Sequence, residues 1–115
     1  MNHKEMDVWK RSMDLAEAIY TITRAFPKEE VYGLTSQIRR AAVSIPSNIA
    51  EGAARKSNKE FLQFLSISLG SLSEVETQSQ LAIRLGFISE DADLNNLIVT
   101  VRKLLLGTRN YVRNN

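Results

Sequence analysis

Cysteine is absent from this chain, which removes disulfides, thiol nucleophiles and thiolate metal sites together and fits a reducing compartment. Histidine occurs once, as His3, in a terminus expected to fray. A serine nucleophile therefore has no imidazole base, and the Glu-x-x-His pairs of di-metal helical bundles cannot be assembled. Two prolines and five glycines among 115 residues leave few breaks, which favours long continuous elements. No apolar run approaches the roughly 18 residues of a membrane span, and the opening MNHKEMDVWKR lacks the apolar centre of a signal peptide. Strand-like alternation, internal repeats and low-complexity tracts are missing as well. Charge of one sign is also scarce: 15 Lys and Arg against 13 Asp and Glu give a net +2, which permits nucleic-acid binding without arguing for it.

What is present is a globular composition, 43% hydrophobic and 24% charged, in a chain sized for one domain over residues 1–115. Four segments read as helices. The first runs from Asp7, placed as an N-cap, to Phe26, with Val8, Leu15, Ile19 and Ile22 at helical spacing and Pro27 as the stop. The second runs from Val31 or Leu34 to Arg55. The third opens on Ser57-Asn58-Lys59-Glu60, a capping box, and ends at Leu85 before Gly86. The fourth starts at Ser89, with Glu90, Asp91 and Asp93 at the positive end of its dipole, and runs to about Tyr111. Short links between comparable helices predict an all-α, antiparallel up-down-up-down four-helix bundle.

The second segment divides into three faces at 100° per residue. Leu34, Ile38, Ala41, Ala42, Ile45 and Ile49 form the core stripe. Gln37, Arg40, Ser44, Asn48, Glu51 and Arg55 form a polar one. Val43, Pro46, Ala50 and Ala54 form a small, mostly apolar patch that reads as a candidate oligomer interface, since small residues let another subunit come close. A solvated face of helix-forming alanines is the alternative reading. Pro46 removes a backbone hydrogen bond to Ala42, so a kink in the second helix is expected, with Ser44, Ser47 and Asn48 at hand as substitute partners. On the third segment Glu76 falls on the core side and calls for a partner, Arg40 or Arg84.

Phosphate-cradling and dinucleotide loops are missing, and the carboxylate pairs Glu29-Glu30 and Asp91/Asp93 flank helix starts. The expectation is a non-enzyme that needs no cofactor and no metal. Binding features are basic spots: Arg39 and Arg40; Arg55, Lys56 and Lys59; and Arg102, Arg109 and Arg113, within about 40° of one another on the fourth helix, with Lys103 to one side. Around a homo-oligomer such spots would sum, because each neutralised phosphate adds affinity. Trp9, Tyr20, Tyr32 and Tyr111 are not interleaved with these cations in the sequence, so no base-stacking platform is expected.

Several strings carry a resemblance: VWK at Val8, FPKEE at Phe26, YGL at Tyr32, SQIRRAAVSIPSNIAEGAAR from Ser36 to Arg55, KEFLQFL at Lys59, GSLSEVETQ at Gly70 and LGFI at Leu85. Together they resemble the four-helix-bundle family of 23S rRNA intervening-sequence proteins over nearly the whole chain. That resemblance implies an up-down bundle assembled as a homopentamer, found as open reading frames within insertions of bacterial 23S rRNA genes and elsewhere in genomes. It also implies similarity in fold to the accessory variability determinants of diversity-generating retroelements, which bind a reverse transcriptase and nucleic acid through basic surfaces. The expected function is a cytoplasmic, homo-oligomeric, RNA-associated accessory protein; a protein-interaction scaffold without a nucleic-acid role is the alternative.

Overall fold

A computed structural model describes all 115 residues, and four helices account for most of them: α1 (Asp7–Thr23), α2 (Leu34–Ala53), α3 (Asn58–Arg84) and α4 (Ala92–Arg113). Single 3₁₀ turns at His3–Glu5 and Lys28–Glu30 precede α1 and α2. The helices pack in a ring, α1 on α2, α2 on α3, α3 on α4 and α4 back on α1. The molecule measures 45 × 26 × 20 Å, so the 27-residue α3, about 40 Å at 1.5 Å per residue, runs nearly its full length. At one end the α1–α2 and α3–α4 connections meet, where the Phe26 and Phe87 rings pack at a tilt of 54° with centroids 5.6 Å apart. At the other end the N-terminal ammonium reaches the Ala53 carbonyl, 3.4 Å away, and His3 packs edge-on to Trp9. The terminus is thus held rather than frayed.

The core is what the helical spacing predicts. Leu15 and Ile19 from α1, Ile45 and Ile49 from α2, Leu65, Leu72 and Val75 from α3, and Val101 and Leu105 from α4 are fully buried. Each contributes about 1.5–3 kcal/mol by leaving water. Two buried hydroxyls of α1 fold back onto their own helix, Ser12 donating to the Val8 carbonyl at 2.6 Å and Thr23 to that of Ile19 at 2.7 Å.

Helix ends follow the local signals with some shifts. Ser57 caps α3, accepting from the Glu60 N–H at 3.2 Å, while its hydroxyl donates to the Glu60 carboxylate at 3.0 Å. Gly86, at φ +79°, closes α3 in a Schellman motif: its N–H donates to the Ile83 carbonyl and that of Phe87 to Ala82. Asp7 lies inside the first turn of α1 and Met6 is the cap, without a side-chain bond. The helix stops at Thr23 rather than Phe26, because Phe26 turns inward to its buried site against Phe87. Likewise α4 begins at Ala92, not Ser89, since Asp91 is the residue whose carboxylate accepts from the Leu94 N–H at 3.0 Å. Glu30 reaches forward to accept from the Leu34 N–H at 3.0 Å and so caps α2, whose N-cap glycine has no side chain.

The α2–α3 seam is the broadest helix contact. α2 continues through Pro46 without interruption. Across the seam Ser68 donates to the Ile45 carbonyl at 2.9 Å and Ser71 to Ser44 Oγ at 2.9 Å, while within α2 Asn48 donates to the Ser44 carbonyl at 2.8 Å. Near its far end Gly52 is buried so tightly that an added Cβ would lie 2.8 Å from both Phe61 Cδ1 and Phe64 Cβ. Glu76 pairs with neither Arg40 nor Arg84. Its carboxylate is exposed and pairs with Arg102 at 3.0 Å, because α4 rather than α2 runs alongside that part of α3.

These packing differences give glycine substitutions opposite signs. Alanine gains about 1 kcal/mol over glycine in a helix interior. At Gly70 nothing stands within 4 Å of the new methyl, so Gly70→Ala is expected to raise the thermal midpoint by several degrees. At Gly52 the clash with a Cβ fixed to the α3 backbone costs about 1–3 kcal/mol and outweighs that gain. Gly52→Ala is therefore expected to lower the midpoint, and calorimetry on the two variants checks the pair.

Candidate nucleic-acid interface

Two adjoining clefts open along α1 and α2 at the end where the Lys28–Glu30 turn lies. The larger, about 510 Å³, runs over the outer surface of α2 from Val31 and Thr35 to Ser47, with Tyr20 of α1 on its wall. The smaller, about 400 Å³, continues beneath the connection and is lined by Thr23, Arg24, Pro27 and Lys28. Val31, Thr35 and Arg39 line both. The arrangement follows from helical spacing. Thr35, Arg39 and Val43 recur at four-residue intervals on the flank of α2, and Tyr20, Thr23 and Arg24 mark the last turns of α1 facing them.

The cations here are Arg24, Lys28, Arg39 and Arg40, none of them in a salt bridge, and no carboxylate lines either cleft. Of the two acids that follow Lys28 in sequence, Glu30 is occupied as the cap of α2, and Glu29 is exposed and lines neither cleft. Arg39 is the most constrained. Its Nε–H donates to Thr23 Oγ1 at 2.8 Å, and its guanidinium lies over the Tyr20 ring, 4.6 Å from the centroid. Its terminal amino groups make no bond within the protein. The other flank of α1 has the opposite character: a cleft of about 270 Å³ towards α4 is lined by Asp14, Glu17, Asp91 and Asp93 and by no cation. α1 thus separates a basic cleft from an acidic one.

The remaining basic spots lie elsewhere and are partly neutralised. Arg55 pairs with Glu51 at 2.8 Å and rests over the Phe64 ring, while Lys56 and Lys59 are exposed beside it at the α2–α3 turn. On α4 the expected basic edge is interrupted. Arg102 is taken up by Glu76, and Arg109 is half-buried, its Nε shielded without a partner. Lys103 and Arg113 are exposed.

The candidate interface patch on α2 is smaller than its spacing suggests. Val43 and Ala54 are exposed and Ala50 is half-buried, but Pro46 is buried within the chain. On the helical projection Pro46 lies toward Ala42, Ile49 and Ala53, all buried, and so belongs to the rim of the core. Sequence reasoning did not single out Arg24 and Lys28, which are isolated in sequence and join Arg39 only through folding. Tyr20, set aside as remote from cations, is covered by one. No group of His, Asp or Glu side chains is arranged to hold a metal ion, and no helix is long and apolar enough to cross a membrane.

Comparison with known proteins agrees with this architecture. Among solved structures, the chain is similar to a protein of unknown function from the S23 ribosomal protein family of Bacteroides thetaiotaomicron, a crystal structure at 1.70 Å resolution. The two share 27% identity and a TM-score of 0.81, over 89% of this chain and 97% of that one. No curated protein matches. The family model described as 23S rRNA-intervening sequence protein matches residues 4–107, and the chain belongs to that family.

Proposed function

We propose that this protein is a non-enzymatic, homo-oligomeric, cytoplasmic accessory protein that associates with RNA, docking backbone phosphates in the α1–α2 cleft. The observation that carries this reading is the grouping of Arg24, Lys28, Arg39 and Arg40 in adjoining clefts that no carboxylate lines. Four unpaired cations so close repel one another in the free protein, and a polyanion removes that cost. The acidic cleft on the other flank of α1 supports an orienting role, since a charge-divided surface turns one side towards a polyanion. The family's link to 23S rRNA insertions is consistent with RNA as that polyanion. Copies in an oligomer multiply the cleft, and Val43, at once on its wall and in the small-residue patch with Ala50 and Ala54, would set a neighbouring subunit beside it. A second reading, a scaffold for an acidic protein partner, draws on the exposed Val31, Val43 and Tyr32, the last 95% exposed, next to the same cations.

Fluorescence anisotropy with a structured rRNA fragment across a salt series tests the first reading. Four neutralised phosphates give a log–log salt slope of about −3 per engaged chain. Replacing both Arg24 and Arg40 with alanine is expected to weaken binding at least tenfold and to make that slope shallower by about 1.5. Replacing Lys103 and Arg113 is expected to change affinity less than twofold. Equal losses from both pairs, or no binding at low salt, would shift the weight to the protein-partner reading. The oligomer has its own check: Ala50→Glu is expected to reduce the mass in solution by light scattering to that of a monomer, and an unchanged mass would remove this patch from the interface.

A further inference from the structure

Arg39 carries more restraint than a counter-charge needs. Phosphate neutralisation needs only an exposed, unpaired cation, as Lys28 and Arg40 provide. Arg39 is instead pinned twice, by the Tyr20 ring at 4.6 Å and by the bond to Thr23 Oγ1 at 2.8 Å. Thr23 is itself buried and anchored to the Ile19 carbonyl. Two restraints fix a plane, and a planar, delocalised guanidinium stacks on nucleobases much as an aromatic ring does. This plane lines both clefts, the larger of which, at about 510 Å³, lies in the size range of small-ligand pockets. The larger cleft also carries the hydroxyls of Thr35 and Ser36, within one helical turn of Arg39, and that of Ser47 about two turns further along α2, groups able to donate to or accept from a base edge or a ribose.

From this geometry we propose that the cleft takes an unpaired nucleotide of single-stranded RNA, its base stacked on the Arg39–Tyr20 pair and its flanking phosphates against Arg40 and Lys28. The inference rests on the RNA reading above and narrows it. Bases within a duplex are already stacked and are not available to the platform, whereas those of loops, bulges and ends are.

The test compares an unstructured oligouridine with a blunt RNA duplex of equal phosphate number, by anisotropy on the full chain. Electrostatics alone favours the duplex, whose charge density is higher. The wild type is expected to prefer the oligouridine by about tenfold, the contribution of roughly one stacked base. Arg39→Lys keeps the charge and removes the plane; it is expected to abolish this preference while leaving duplex affinity and the salt slope unchanged. Tyr20→Leu, with helicity checked by circular dichroism, is expected to do the same, and if it unfolds Arg39→Lys decides alone. Equal affinity for the two RNAs, or an Arg39→Lys protein indistinguishable from wild type, would overturn the stacking site and leave phosphate docking standing. Failure of the folded wild type to bind either RNA would remove both.

Discussion

The close seam between α2 and α3 is the constraint on which the rest of this structure depends. Two helices can approach this near only where side chains are small, and the seam is built from Ser44, Gly52, Ser68 and Ser71 together with the edge of Phe61. Its hydrogen bonds cross between helices and tie α3 to the α2 backbone on the turn that holds Pro46, where the ordinary ladder is one bond short. Each such bond is worth about 1 kcal/mol net, but a hydroxyl left buried without a partner would cost more, so the seam tolerates few registers. Fixing the roll of α2 against α3 determines what its other flank presents. That flank carries Thr35, Arg39 and Val43 to the side where α1 ends.

The surface divides by charge along α1. Ion pairs elsewhere are exposed, Arg11 with Asp14, Arg55 with Glu51 and Arg102 with Glu76, and pairs of that kind contribute about 0–1 kcal/mol each. Their effect is to spend acidic partners away from the α1–α2 cleft, leaving Arg24, Lys28, Arg39 and Arg40 free. A near-neutral chain can thereby hold a strongly basic groove, which net charge alone would not reveal. Arg39 is held locally by Thr23 and the Tyr20 ring, so the cleft contains one preorganised cation among three whose side chains make no hydrogen bond or salt bridge.

The fold was legible because its signals are local. Apolar residues at helical spacing gave the core, Ser57 and Gly86 the ends of α3, and the FPKEE and LGF segments the two turns that meet at Phe26 and Phe87. Errors fell where neighbouring residues compete for one role. Asp91 rather than Ser89 caps α4, and Met6 rather than Asp7 precedes α1. Half of the candidate site was legible, Arg39 and Arg40 as an adjacent pair. Arg24 and Lys28 were not, since each stands alone in the sequence and only the turn after α1 brings them to α2. The partner of Glu76 and the burial of Pro46 escaped for a related reason: helical periodicity places a residue on a face without saying which helix covers that face.

Where RNA touches the protein is addressed directly by ultraviolet cross-linking of a structured rRNA fragment followed by mass spectrometry of the peptides. Cross-links concentrated between Tyr20 and Val43, with few at Arg55 to Lys59 or along α4, are the expected result. Cross-links centred on Lys103 to Arg113, with the α1–α2 cleft untouched, would contradict it.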